Sequence, residues 1–257
     1  MKGSRTVSSA HLIVVRHLWV LRHGRPWNLV VNGIFEPFLY LLSIGVGIGQ
    51  LVSGDSGASA YAAFVAPALL ATSAMNSAVN ETTSNVWWRV RFDKVYDAIV
   101  TTPMRIGDIA LGEIAASVLR STLSSTCFFV VILVLGMVHS GWAVLAVPAA
   151  MLIAYAFSAA GLAAATCIRE PHHHQYLQLV MLPMFLFATT FYPLSIYPSV
   201  LQVLVAALPL YQSVELMRGL TTGEPGPGML AAVAYLLLLG GGATWLARRR
   251  LSGLLLT

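Results

Sequence analysis

The chain has 257 residues, 57% of them hydrophobic and only 10% charged, with a formal net charge of +5. An ordinary soluble domain carries about 25% charged residues, so this composition excludes a chain that covers its own surface for water. The basic residues lie between apolar runs rather than along one folded face, which points away from nucleic acid and towards membrane topology.

Arg5, Arg16, Arg22 and Arg25 interrupt the apolar runs of the N-terminal segment, so no signal-peptide core is expected there. Residues 1–28 read as a cytoplasmic or interfacial N-terminal helix, centred on His11 to His23, with Trp19 and Trp27 at the boundary. Apolar runs follow at about 29–51, 61–79, 114–138, 142–167, a shorter 177–192, and 229–247. Crossing a hydrocarbon core about 30 Å thick takes about 20 apolar residues. The chain therefore reads as one all-α polytopic membrane domain over 1–257 with six transmembrane helices.

An even number of spans puts both termini on one side, and the positive-inside rule names that side. Lys2, Arg5, Arg16, Arg22, Arg25, Arg89, Arg91, Lys94, Arg105, Arg169, Arg248, Arg249 and Arg250 are 13 of the 15 Lys and Arg. All fall on the cytoplasmic side if the N-terminus is inside, whereas the outer connections hold only Arg218. The expected location is the bacterial inner membrane, multi-pass, with both termini cytoplasmic.

Two connections are long. The cytoplasmic loop 80–112 contains a short stretch, Arg91 to Arg105, with Val95, Tyr96, Ile99 and Val100 placed for one apolar stripe, and Pro103 ends it. So short a helix is not stable alone. It rests either on the inner membrane surface or against a cytosolic partner, and the spacing fits both. The outer segment 193–222 is apolar but cut by Pro193, Pro198 and Pro209 into pieces too short to cross. It predicts a re-entrant helical hairpin between spans five and six. Tyr192, Tyr197 and Tyr211 suit the interface level, where amphipathic rings are favoured.

Glu36 and Arg120 are the acid and base inside otherwise apolar spans, each seven residues from an inner edge at Leu29 or Glu113. Equal depth allows them to pair, while separate snorkelling to the inner headgroups satisfies each alone. Glu170-Pro-His-His-His174 is the most metal-like string. Consecutive residues rarely converge on one ion and the i, i+4 pairing of helical ligands is absent, so a solvated turn is the expected state and no metal is assigned. Cys127 and Cys167 have no CxxC neighbour and read as small packing residues. Ala160 with Ala164, and Gly240 to Gly242, mark close helix packing. No GxSxG occurs, and neither lysine, Lys2 nor Lys94, stands in a P-loop. No catalytic or cofactor-binding residue is assigned, and any ATP-driven activity must borrow its ATPase.

These features together resemble the type-2 ABC exporter permeases, and most closely their NodJ-like branch. The resemblance rests on Gly33-Ile-Phe-Glu-Pro-Phe-Leu-Tyr40, Gly45-Val-Gly-Ile-Gly49, Tyr61-Ala-Ala-Phe-Val-Ala-Pro67 and Ala71-Thr-Ser-Ala-Met75. It continues through Thr102-Pro-Met-Arg105, Gly107-Asp-Ile-Ala-Leu-Gly-Glu113, Phe191-Tyr-Pro193 and Leu208-Pro-Leu210. Many relatives have Phe-Phe-Pro at the outer motif; the tyrosine keeps a ring at an interface that tolerates its hydroxyl.

The resemblance implies a dimer with an identical or homologous second permease, and two cytosolic ABC ATPase subunits carrying ATP and Mg. It implies a coupling helix at about 93–102, with Asp93, Val95, Tyr96, Asp97 and Ile99 on it and Thr102, Pro103 and Arg105 at its exit. It also implies export of an amphiphilic substrate such as a lipo-oligosaccharide, a lipid-linked compound or an antibiotic. A membrane scaffold or immunity protein is the competing expectation, and it predicts that the cytosolic helix tolerates change. An ion-coupled carrier needs ionisable groups near the midplane, and spans two, four and six lack them.

Overall fold

A computed structural model of the chain describes residues 15–16, 19, 27–85, 106–138, 140–167, 173–223 and 226–255. The coupling segment, the Glu170-Pro-His172 turn and most of the N-terminal helix lie outside these residues. Every long element is helical, as a lipid-facing chain requires, because a helix satisfies its own backbone polar groups. In chain order they are α1 (Trp27–Asn80), continued by a π turn at Glu81–Asn85, then α2 (Ile106–Val134) and α3 (Ala146–Ala165) after a 3-10 turn at Gly141–Leu145. They are followed by α4 (His173–Phe187), α5 (Ser199–Ala206), α6 (Pro209–Thr222) and α7 (Pro227–Leu255).

Four segments are long and apolar enough to cross a membrane: Tyr61–Thr83, Gly107–Val134, Gly141–Ala165 and Pro227–Leu251. These correspond to expected spans two, three, four and six. The other two differ from expectation. The break expected over Ser53 to Ala60 does not occur, and α1 runs through it for 54 residues, more than twice what one crossing needs. No proline stands between Pro37 and Pro67, so no residue there lacks the amide that continues the helical ladder. Span five is the 15-residue α4, which starts at His173 and ends at Phe187, with Pro183 inside it. The chain then turns at Thr189, whose φ is 58°.

The expected hairpin region holds two helices, α5 and α6, bent by 83° at Ala207 and Leu208. Pro209 opens α6, where its missing amide costs nothing, and Gly223 closes it at φ 84°, a conformation glycine adopts without strain. A Cβ at Gly223 would lie 2.8 Å from the Ser140 hydroxyl, so the position favours glycine on two counts.

α1 packs on α2, α2 on α3 and α3 on α7, while α6 closes the group by packing on α1 and α7. α3 is well enclosed, and its buried residues include Ala149, Ala150, Ala154, Ala156, Ala159 and Ala163. Small side chains let neighbouring backbones approach closely, which substitutes for the hydrophobic drive that lipid does not supply. The tightest approaches are glycines. A Cβ at Gly161 would fall 2.3 Å from Thr82 Oγ1, and one at Gly240 would fall 2.4 Å from the Tyr155 ring. Gly241 and Gly242 meet nothing within 4 Å, so of the expected glycine run only Gly240 closes a contact. Gly240→Val is expected to destabilise by about 1–3 kcal/mol through overpacking, read as a lower Tm in detergent. Tyr155→Ala in the same background should recover part of that loss.

The outward faces of these helices carry Leu119, Leu123, Val130, Leu133, Met151, Leu237, Leu238 and Trp245, all exposed. An apolar surface of this extent fits lipid as its solvent.

Candidate functional site

α2 runs antiparallel to α1 and α3, and α1, α3 and α7 end on the same side, so the described contacts sort into two ends. At one end Arg248 of α7 lies against Gly107 of α2, Arg250 reaches the Cys167 thiol, and Arg16 donates to Glu113 at 3.2 Å. We refer to this as the basic end.

Within the spans near the basic end, Arg120 of α2 has a carboxylate partner in Glu81, which neither of the alternatives left open by the sequence, pairing with Glu36 or separate snorkelling, included. Arg120 Nη1 donates to Glu81 Oε1 at 2.6 Å, and both side chains are 13% exposed. The Glu36 side chain lies outside the described residues. A charge-assisted bond of this length is among the stronger contacts a protein makes, and enclosure spares it much of the solvent screening that weakens surface pairs. Glu81 opens the π turn, a widened helical register found disproportionately where helices carry function. The turn leads directly into the 86–105 segment, so the pair ties the root of that segment to α2.

Around it lies a layer of hydroxyls. Ser117 and Ser158 share a 2.7 Å hydrogen bond across α2 and α3, and Ser117 also donates to the Ala78 carbonyl at 3.3 Å. Thr82 and Thr83 bond back to Ala78 and Val79 within their own helix, the pairing that lets a hydroxyl sit in an apolar helix bundle. Glu113 is only 3% exposed. It sits inside α2, which begins at Ile106, rather than at the expected edge of a loop reaching Gly112.

At the opposite end an aromatic cluster joins α1 to α4 and to the connection after it. Tyr40 meets Phe185 edge-on at 6.2 Å, Phe185 meets Phe191 at 5.2 Å, and Tyr61 donates to the Phe191 carbonyl at 3.2 Å. Of the residues singled out in the outer segment, Tyr192 is exposed, Tyr197 packs near Phe187, and Pro193 leads into a short 3-10 turn. Tyr211 is half-buried on α6. They are not brought together as one site. The group that is assembled there centres on Arg218, which sequence reasoning noted only as the lone outer base. Its Nη1 donates to Glu215 at 2.8 Å, its Nη2 to the Thr189 carbonyl at 2.9 Å, and its guanidinium stands 4.2 Å from the centroid of the Phe64 ring.

Among the described residues no group of three or more His, Cys, Asp or Glu could hold a metal. What the described residues do assemble is charged contacts and hydroxyl hydrogen bonds between helices.

A family profile described as ABC-2 type transporter matches residues 11–221. The chain belongs to the ABC-2 type transporter family. Nodulation protein J of Rhizobium meliloti (strain 1021) is 31% identical over 201 residues, covering 76% of this chain and 75% of that protein. The same-named protein of Rhizobium leguminosarum bv. trifolii is 31% identical over 199 residues, covering 76% and 75%. That of Neorhizobium galegae is 29% identical over 234 residues and 88% of both chains. The chain is thus a NodJ-like type-2 ABC permease, a multi-pass membrane subunit of an ABC exporter. In this permease both clasps, Glu81–Arg120 and Arg218 with its partners, lie inside the matched region, whereas the whole of α7 lies beyond it.

Proposed function

We propose that this permease exports an amphiphilic compound, of the lipo-oligosaccharide, lipid-linked or drug-like class, using two ATPase subunits that dock on the cytoplasmic segment 93–102. A second permease, identical or homologous, completes the complex, ATP and Mg reside on the ATPases, and both termini face the cytoplasm. The observation that supports this best is the division of the molecule into a strongly basic end and a poorly charged one, joined by helices whose outer faces are apolar. Lys and Arg collect on the cytoplasmic side of inner-membrane proteins. The basic end is also where the loop with Asp93, Val95, Tyr96, Asp97, Ile99, Thr102, Pro103 and Arg105 leaves the helices. Work delivered there passes first to the π turn and the Glu81–Arg120 pair, and from them to the rest of α1 and α2. The alanine, leucine and phenylalanine interior offers little to a small hydrophilic ion, which favours an amphiphilic cargo.

The test is gentle affinity purification of the chain from its native membrane, followed by identification of bound proteins and an ATPase assay. Recovery of an ABC ATPase is the expected result. Its loss when Tyr96 and Ile99 are both changed to Glu, with the permease still folded, supports docking at 93–102. A folded permease that retains the ATPase despite both changes removes that docking site. A permease with no ATPase at all favours a scaffold.

A further inference from the structure

At the end opposite the basic one, a single guanidinium joins three separate pieces of chain. Arg218 is carried by α6, Phe64 by α1, and Thr189 by the connection between α4 and α5. The Arg218 side chain is 16% exposed. Its planar fork is used in three ways at once: Nη1 to Glu215 on the same helix, Nη2 to the Thr189 carbonyl, and the flat face on the Phe64 ring at 4.2 Å. A desolvated cation over an aromatic face and charge-assisted hydrogen bonds are each stronger than their neutral, solvated counterparts. Lysine cannot reproduce the set, since it has no planar face and no fixed fork.

Two local costs are concentrated at this same contact. Thr189 is the only non-glycine residue with positive φ among the described residues, at 58°, a backbone region that a β-branched residue disfavours. Arg218 Nε is buried and has no hydrogen-bond partner, a state that costs free energy in a low-dielectric interior. Backbone strain held by strong contacts is found disproportionately at switching sites, where a second arrangement can relieve it.

We propose that Arg218 is the clasp that keeps the outer end of this permease shut, and that its release from Thr189 and Phe64 accompanies opening for substrate exit. Arg218 is then a positioning residue for export: it touches no substrate and sets the equilibrium between closed and open outer ends. The assignment rests on the export reading above.

The reporter is a Val214→Cys change, one turn before Arg218 on α6 at a site fully buried in the closed arrangement, with Cys127→Ala and Cys167→Ser removing the native thiols. Native-membrane vesicles of both orientations are treated with a membrane-impermeant maleimide. Slow labelling is expected in the parent, and labelling about tenfold faster in Arg218→Gln, as the cation–π contact and both hydrogen bonds are lost together. Equal protection in a folded Arg218→Gln protein, judged by its membrane abundance and Tm, overturns the clasp.

Thr189→Gly supplies a second arm, used alone if Arg218→Gln does not fold. It keeps the accepting carbonyl and relieves the positive φ, so labelling is expected to slow about fivefold and export to slow with it. Unchanged or faster labelling in Thr189→Gly overturns the proposal. Labelling reads this chain's own conformation, whereas ATPase recovery and export read the transport assignment. Arg218-dependent protection in a chain that exports nothing keeps the clasp and removes the transport role; intact export with Arg218-independent protection removes only the clasp.

Discussion

Arg120→Leu is expected to destabilise the permease by about 3–5 kcal/mol, because removing one member of an enclosed ion pair strands the other in a low-dielectric interior. The readout is the Tm of the detergent-solubilised protein and the amount of folded protein in the membrane. Glu81→Leu should fall in the same range, and the Glu81→Leu/Arg120→Leu double variant should be markedly more stable than the sum of the two losses. A coupling energy of more than about 1 kcal/mol in that cycle establishes the pair. A strictly additive cycle shows that each group is satisfied elsewhere. Running the same cycle with Glu36→Leu tests the other acid: coupling to Glu81 is the outcome the 2.6 Å contact predicts, and coupling to Glu36 as well would show that both acids share Arg120. Export should respond differently from stability, since the pair anchors the root of the loop proposed to receive the ATPase. A restabilised double variant is expected to fold yet give less transport per ATP hydrolysed by its partner ATPase.

Gly161→Val is expected to cost at least about 3 kcal/mol, the upper range for overpacking, since even the first added carbon overlaps Thr82 Oγ1 at 2.3 Å. Thr82 has little room to yield. It is fully buried, and its hydroxyl is committed to the Ala78 carbonyl at 2.8 Å. Gly161→Ala is the gentler variant, and here Thr82→Ala should restore most of the lost stability by removing the overlapping oxygen. Thr82→Ser, which keeps that oxygen, should restore little. Equal rescue by both would mean that the α1–α3 contact relaxes as a whole rather than at this atom. Because the contact lies beside the Glu81 turn, Gly161→Ala is also expected to weaken the coupling measured between Glu81 and Arg120.

Much of the membrane architecture was legible without coordinates, and for a simple reason. Whether a segment is apolar over some 20 residues is a local property, and so is the placement of basic residues between such segments. Spans 61–79, 114–138, 142–167 and 229–247 all fall on observed helices. Prolines, too, act locally: Pro209 starts α6 where a helix start was readable. The expected turn over Ser53 to Ala60 failed on the same principle. Its glycines and serines permit a turn but do not oblige one, and with no proline the backbone ladder simply continues.

Partner choice was a different matter. Equal depth suggested Glu36 for Arg120, yet helical side chains lean towards the N-terminus of their own helix. For α2 that direction is the basic end, where Glu81 stands, so the observed pairing agrees with a directional signal that depth alone omits. Arg218 offered no comparable clue. Its partners Phe64 and the Thr189 carbonyl lie far away in sequence, on elements that meet only because α6 folds back across α1. In the same way a threonine at position 82 reads as an ordinary loop-edge residue until Gly161 of α3 is placed against it.

The sequence by itself determined that this chain lives in lipid, that its basic residues gather between apolar runs, and where most helices run. Those conclusions depend on hydrophobicity and charge, which each segment possesses alone. Only the tertiary structure decided which charges pair, which glycines meet a neighbouring helix and which residues gather around Arg218. Each of these depends on a distance of a few ångströms between residues separated by tens of positions, and helix packing, rather than sequence spacing, sets that distance.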